Sequence, residues 1–301
     1  APAKLIGQRK RGLITYVMAL MNGARVGISA QGTGIGEACY RAARDYAAAR
    51  KQFGVTIDNF PALRELLSDM SVELQASRIL AYYSSKSVDL EFGLTKKFES
   101  LKGMPEAQDV RKRMKLYAAF NKMLTPMAKY YASEMSMRAS NGAVAVLGGS
   151  GYMKDSACER LYRDARILNI YEGTTQLQVV AAINHVTKGT YLEQIKRYEE
   201  TERNDATRAM GEKLVALRGL YEQVVETLDK ECSGYKDFHA RRLVEIAGYI
   251  ILSHIMLRQA GECADYLAPT QVFVKYAAKK ITEAASYINE SGVEDVELFR
   301  A

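Results

Sequence analysis

One acidic residue stands out because of the residues around it. Glu172 lies in the segment Ile170–Thr175 (IYEGTT), which precedes an apolar helical pattern and places Thr174 where it could cap that helix. A carboxylate fixed in such a turn could act as a general base. From residue types alone we favour a simpler interpretation, in which the carboxylate complements the positive N-terminus of the helix.

A second candidate is the glycine-rich segment Gly148–Gly151 (GGSG), where the backbone could approach a phosphate closely. The segment follows a helical pattern and lacks the lysine of a P-loop. A loop that ends a helix is therefore the better interpretation from residue types alone.

The histidines and cysteines do not form a recognisable reactive set. The three histidines are far apart, and none lies near a nucleophile motif, so we interpret them as surface or core residues. The four cysteines are also widely spaced, without a CxxC pair. We therefore expect no metal site and no disulfide framework, and a reducing cytoplasm is the simplest location.

The elements that position these residues are all predicted to be helices. With only 5 prolines and 22 glycines in 301 residues, long uninterrupted elements are expected. Apolar spacing predicts helices over about 13–51, 61–90, 109–147, 156–164 and 174–186, with a polar segment at 91–109. Pro126 should kink or split the third helix. We find no alternating pattern typical of a strand.

Beyond residue 189 the helical pattern starts again. Leu214–Leu228 carries a heptad-like apolar seam, and Leu243–Leu257 is apolar on nearly every face, so its neighbours should enclose it. Val274–Ile288 marks a last amphipathic helix. The sequence thus predicts two helical units, residues 1–188 and 189–301.

Charge and hydropathy exclude two classes of partner. The net charge of +7 is spread along the chain in both signs, so we expect no nucleic-acid partner. The longest apolar run, Ile246–Leu257, is interrupted and shorter than a bilayer requires. We therefore expect no membrane span.

Four motifs together resemble a known family. They are the segment Arg25–Gly54 ending in RKQFG, the GGSGY motif, the pair Arg163-Asp164, and the IYEGTTQ motif. In order and spacing they resemble the C-terminal domain of acyl-CoA dehydrogenases. The resemblance implies an all-α fold, in which the family's C-terminal four-helix bundle is followed by a second helical bundle. That second unit resembles the C-terminal extension of the very-long-chain and 3-methylmercaptopropionyl-CoA dehydrogenases.

The family implies a reaction. By resemblance, the chain is the C-terminal part of an FAD-dependent oxidoreductase that desaturates an acyl-CoA thioester between Cα and Cβ. Glu172 would be the base that removes the α-proton, while a hydride passes to flavin N5. An electron-transfer flavoprotein is the expected acceptor, and a homodimer is the expected assembly. The match does not include the family's N-terminal and β-domains, so we expect the chain to be inactive alone.

Other roles follow from the same resemblance. Residues that resemble the family's substrate-binding positions are Arg25, Tyr171 and Gly173. Residues that resemble FAD-binding positions are Arg50, Phe53, Gly148 and Gly149, toward a neighbouring subunit's flavin, and Thr174 and Gln176, toward the subunit's own. A surface ion pair is the alternative role for Arg25. Pro61 and Ala145 depart from the family pattern, which puts some of the contacts to the neighbour's flavin in doubt.

Three alternatives stay open at this point. An acyl-CoA oxidase would use the same base and differ in its reaction with oxygen. A DNA-associated relative of the family would bind duplex DNA in a salt-dependent way. A non-catalytic helical scaffold would need none of the proposed chemistry.

Overall fold

The fold is all α, as the sequence predicts. In a computed structural model, residues 2–201, 203–230 and 233–298 are described. The helices are α1 (Met18–Ala49), α2 (Pro61–Ser100), α3 (Ala107–Leu147), α4 (Gly149–Tyr152), α5 (Ala157–Leu168), α6 (Thr175–Val186), α7 (Gly189–Glu199), α8 (Asp205–Asp229), α9 (Ser233–Phe238), α10 (Ala240–Glu262), α11 (Leu267–Glu290) and α12 (Val293–Leu298). Short π and 3-10 segments lie at Gly12–Val17, Ile57–Asn59 and Ala264–Tyr266.

Three long helices form the centre of the first unit. Helices α1 and α3 run parallel. They approach closely at Gly32, where an added Cβ would lie 2.7 Å from the Ala132 carbonyl oxygen. Helix α2 runs antiparallel to both, and its Glu73 accepts hydrogen bonds from Arg138 of α3. Helices α5 and α6 pack against α3 at the side of this bundle.

Helix α10 is the centre of the second unit. From Ile250 to Leu257 every residue is buried, as the apolar pattern predicts, and α8 and α11 pack around it. The helix has 23 residues and a mean hydropathy of 1.2, so by length and composition it could cross a membrane. It is longer than the apolar run Ile246–Leu257 on which the sequence analysis relied. Because 72% of the apolar stretch of α10 is buried inside the protein, it resembles the core helix of a bundle, and its length and hydropathy are weak evidence for a span.

Three local predictions differ from the structure in whole or in part. Helix α2 continues to Ser100 instead of ending near residue 90, because Leu94 is still buried and Glu91 accepts a hydrogen bond from Asn121. Of the two outcomes predicted for Pro126, the split does not occur, because the surrounding turns are buried and tertiary packing stabilises the helix. A two-residue antiparallel pair, Lys51–Gln52 with Val55–Thr56, forms where no strand was predicted.

The buried residues of the two units form one continuous hydrophobic core. A hydrogen bond also joins the two units, because the Tyr221 hydroxyl donates to the Val186 carbonyl at 3.0 Å. Tyr131 of α3 meets the ring of Phe273 of α11 edge-on at 6.4 Å. The second unit is therefore packed onto the first, and a division at residue 188 stays a prediction.

Candidate active site

The loop between α5 and α6 carries the candidate base. Helix α6 begins after Thr174, whose hydroxyl accepts a hydrogen bond from the Leu177 N–H at 3.3 Å, so the predicted cap is confirmed. Two successive residues before it have positive φ, 54° at Glu172 and 87° at Gly173. Glycine adopts this conformation freely, but for a glutamate it costs about 1–3 kcal/mol. Strain of this kind is often found at functional sites.

A polar network on the first unit holds both ends of the loop. The Thr175 N–H donates to the Asn169 carbonyl at 3.0 Å, which closes the loop on itself. The Asn169 amide and the Thr175 hydroxyl both donate to the Glu134 carboxylate of α3, at 2.8 and 3.0 Å. The ends of the loop are thus fixed to the bundle as well as to each other.

A second set of contacts holds the middle of the loop. The Gly173 carbonyl accepts from the Lys129 ammonium of α3 and from the Gln178 side-chain amide, the latter at 2.9 Å. The Tyr171 hydroxyl donates to the Gln31 side chain of α1. Helices α1, α3 and α6 therefore all fix the segment that carries Glu172.

Two buried cations lie behind the loop. Arg25 is 7% exposed and Lys129 is fully buried, and burial lowers the pKa of each. The pKa of Lys129 falls to about 8, chiefly through burial and then through the charge of Arg25, while the carboxylates of Glu172 and Glu134 act in the opposite direction. Arg25 donates a hydrogen bond to Asn22 at 3.0 Å, and its burial differs from the exposed position that a surface ion pair would have.

The side chain of Glu172 itself is exposed. In the described part of the chain, no acceptor takes a hydrogen bond from its backbone N–H. Apolar side chains around it are also uncovered, among them Ile170, Leu177 and Val180, which are 49%, 55% and 56% exposed. Exposed apolar side chains that lie together are typical of surfaces that bind another molecule.

The remaining predicted residues lie at a different place. Arg50 follows the end of α1 and Gly148 ends α3, and because these helices are parallel both lie at one end of the bundle. Phe53, in the turn after α1, is 87% exposed with φ 49°. Lys129 is 18 residues before Leu147 on α3, so this end lies about 27 Å from the base loop. The structure therefore divides the predicted site into two groups.

Sequence reasoning missed the residues that hold the loop, namely Gln31, Lys129, Glu134, Asn169 and Gln178. The amino-acid sequence does contain one signal that points to Lys129. It stands among Met127, Ala128, Tyr130 and Tyr131, in a stretch of α3 that is apolar on either side of it. A lysine inside such a stretch is costly unless it has a partner, which marks it for attention.

The histidines belong to the core or to its edge. His239 and His254 are buried, and burial lowers their pKa values to about 4 and about 3. His185 is partly buried, and its pKa is also lowered. Within the described ranges, no group of three potential ligands could hold a metal ion.

The loop geometry predicts that Gly173→Ala destabilises the fold. A Cβ at this position would lie 2.8 Å from Gln178 Nε2, and φ would stay unfavourable. We expect the free energy of unfolding to fall by about 1–3 kcal/mol in thermal or urea denaturation. Gly219→Ala is the matched control, since Gly219 lies inside α8 with open space around it and should gain about 0.5–1 kcal/mol. Equal effects of the two substitutions would contradict this account of the loop.

Known proteins share this architecture. A family profile described as "Acyl-CoA dehydrogenase, C-terminal domain" matches residues 11–102 and 106–186, and one described as "Acyl-CoA dehydrogenase C terminal" matches residues 187–296. A short-chain-specific acyl-CoA dehydrogenase of Clostridium acetobutylicum is 33% identical over 58% of this chain and 38% of its own length. A subunit of the caffeyl-CoA reductase-Etf complex of Acetobacterium woodii is 31% identical over the same shares.

Solved structures agree on the fold. A crystal structure of an acyl-CoA dehydrogenase from Bacillus anthracis, complexed with FAD, superposes with a TM-score of 0.73 at 19% identity. It covers 97% of this chain, which in turn covers 53% of that protein. The chain spans about two fifths of the length of the curated relatives described above, 38% in each case. Since the first profile alone covers more than half of its residues, this chain belongs to the acyl-CoA dehydrogenase family.

Proposed function

We propose that this chain is the catalytic C-terminal part of a flavin-dependent enzyme that desaturates acyl-CoA thioesters between Cα and Cβ, with Glu172 as the base. The observation that carries the proposal is the rigid, strained turn that presents Glu172, fixed by three helices and backed by two buried cations. A general base works best when its position is fixed before the substrate arrives.

The role of Glu172 is to accept the α-proton of the thioester. As that proton leaves, negative charge develops on the thioester oxygen, which then needs hydrogen-bond donors. The backbone N–H of Glu172 has no acceptor in the described ranges and would be one such donor. Tyr171 and Gly173 flank the base and would border the acyl group, while Arg25 would lie behind it.

A dry site requires a second surface over the loop. Water around the carboxylate would weaken it as a base and would screen the charges near it. The exposed apolar residues beside Glu172 would meet that surface, which we assign to the domains that precede this part in the family. The chain's own residues would then bind, orient and deprotonate the substrate.

Several residues at the end of the bundle fit FAD. Gly148 has φ 61°, and added Cβ atoms at Gly148 and Gly149 would meet nothing within 4 Å, so this backbone is open to a close ligand. The guanidinium of Arg50 is exposed and could pair with a pyrophosphate, and Phe53 offers an uncovered ring. When bound, FAD supplies the acceptor for the hydride from Cβ.

The separation of the two groups supports a homodimer. Arg50, Phe53, Gly148 and Gly149 lie about 27 Å from the base loop along α3. They would therefore contact the flavin of a second copy, while Thr174 and Gln176 would contact the flavin of their own subunit. An electron-transfer flavoprotein is the proposed acceptor of electrons, in keeping with the Acetobacterium relative's place in an Etf complex. A cytoplasmic location stays a prediction from the widely spaced cysteines.

A direct test uses the full-length protein that carries this chain. Purified protein should show a stoichiometric flavin spectrum, which acyl-CoA thioesters of suitable chain length bleach in anaerobic stopped-flow mixing. A panel of chain lengths from short to very long identifies the substrate. Peroxide formation in air at the rate of turnover would favour an oxidase instead. A protein that binds neither flavin nor any acyl-CoA would refute the proposal and favour a scaffold.

A further inference from the structure

A polar pocket of about 600 Å³ lies among three helices of the second unit. The last turn of α7, the start of α8 and the C-terminal half of α10 line it. Its volume is in the range of sites that hold small organic molecules. The lining residues all fall between Tyr198 and Glu262, outside the candidate active site.

The pocket has an excess of positive charge. Its charged lining residues are two arginines, Arg203 and Arg258, and one glutamate, Glu262. Arg258 pairs with Glu262 at 3.1 Å. Arg203 donates to the backbone carbonyl of Glu199 at 3.3 Å, and no carboxylate of the described residues pairs with it. Arg203 is therefore the cation that is available to a ligand.

The guanidinium of Arg203 lies directly over a glycine of α8. A Cβ added to Gly211 would lie 2.2 Å from Arg203 Nη1 and 2.4 Å from its Cζ. Glycine in the interior of a helix is less stable than alanine. The missing side chain at Gly211 thus costs the helix stability and leaves room for the guanidinium at the wall of the pocket.

Helix α8 begins at the same pocket. Asn204 caps the helix by accepting a hydrogen bond from the Thr207 N–H at 3.1 Å, and both residues line the pocket. The N-terminus of a helix of 25 residues carries a partial positive charge that favours an anion. The Asp205 carboxylate in this turn already pairs with Arg208, at 2.8 Å.

His254 of α10 indicates a ligand independently of these charges. It is 2% exposed and lines the pocket, and its Nε2 has no hydrogen-bond partner in the described part of the chain. The nearest carboxylate oxygen, on Glu199, is 4.0 Å away, and that carboxylate accepts from Arg218. Burial and then the charges of Arg203 and Arg218 lower the pKa of His254 to about 3, so the ring is neutral in positive surroundings. A buried polar atom of this kind normally has a partner.

We propose that this pocket binds a small organic phosphate, with the phosphate group between the Arg203 guanidinium and the N-terminus of α8. The planar fork of an arginine and the N–H groups of a helix start suit the several oxygens of a phosphate. The neutral imidazole of His254 can donate one more hydrogen bond. Leu257 and the ring of Tyr198 also line the pocket and would contact the organic part. The proposal does not depend on the reaction assigned to Glu172.

The test is calorimetric titration of the full-length protein, saturated with FAD, with AMP, adenosine and inorganic phosphate. AMP should bind, and adenosine, which lacks the phosphate, should not bind at the same concentrations. Weaker binding of inorganic phosphate than of AMP would support an organic phosphate as the ligand, and equal binding would support free phosphate. If neither AMP nor phosphate binds at millimolar concentration, or if adenosine binds as tightly as AMP, the proposal is wrong.

Two variants locate the binding. Arg203→Met should weaken AMP binding about tenfold or more, because it removes a charge-assisted hydrogen bond. Arg208→Met is its matched control, since Arg208 is an exposed arginine of α8 that does not line the pocket, and it should bind AMP like the wild type.

Gly211→Ala displaces the guanidinium and keeps its charge. It should also weaken AMP binding, while the thermal midpoint stays equal to or above that of the wild type, because alanine favours the helix. Gly219→Ala, in the same helix with open space around it, should leave AMP binding unchanged. A folded Gly211→Ala or Arg203→Met protein that binds AMP like the wild type would place the phosphate elsewhere and overturn the proposal.

Discussion

Replacing Glu172 with glutamine in the full-length protein should abolish dehydrogenation and leave acyl-CoA binding largely intact. Glutamine has nearly the same shape and keeps the backbone N–H, but it cannot accept a proton. We expect the rate of flavin bleaching to fall on the order of a hundredfold or more, which is the contribution typical of a general base. Single-turnover mixing followed at the flavin absorbance measures this rate, and a ligand titration measures binding.

A matched control is Glu193→Gln. Glu193 is exposed and lies on α7, outside the loop that carries Glu172. The Glu193→Gln variant should bleach at the wild-type rate. The backbone of the loop should be equally strained in the wild type and in Glu172→Gln, so their thermal midpoints should agree. Near-normal bleaching by Glu172→Gln would refute the assignment of the base.

Much of the fold follows from the sequence alone. The apolar spacing of Leu214–Leu228 and Leu243–Leu257 predicts helices with buried faces, and the residues on those faces are buried. Helix ends were less accurate. The apolar spacing predicts that the second helix ends near residue 90, whereas α2 continues to Ser100. The polar residues after position 90 have no apolar stripe that would indicate a helix, because that part of α2 is mostly exposed.

The site was predicted in part. The position of the loop and the cap at Thr174 follow from local residue types, since a cap is a contact between neighbours in sequence. The contacts that fix the loop join residues far apart in the chain, such as Gln31 with Tyr171 and Lys129 with Gly173. Periodicity in one sequence carries no information about such pairs. The positive φ of Glu172 is likewise invisible, because glutamate rarely adopts it.

Removing the second unit should have a large effect on assembly. Truncation after Lys188 in the full-length protein would uncover the side chains of Tyr131, Ile183 and Val186, which belong to the core that both units share. Each large apolar side chain gains about 1.5–3 kcal/mol on burial. Their combined loss is comparable with the about 5–15 kcal/mol that holds a whole domain together. We expect aggregation or association beyond the homodimer that we propose for the intact protein.

The control is a truncation after Gly292, which removes the short helix α12. It takes no buried residue from the shared core, although Val296 of α12 is partly buried against that core. Light scattering with size-exclusion chromatography measures the assembly, and a thermal scan measures stability. The protein truncated after Gly292 should keep the assembly of the intact protein and a thermal midpoint close to it, because none of the described residues of α12 is buried. The hydrogen bond from the Tyr221 hydroxyl to the Val186 carbonyl would be lost in the truncation after Lys188 and kept in the truncation after Gly292. If the protein truncated after Lys188 remains a dispersed dimer with an unchanged midpoint, the second unit is an independent module, and the shared core contributes little to the stability of the first.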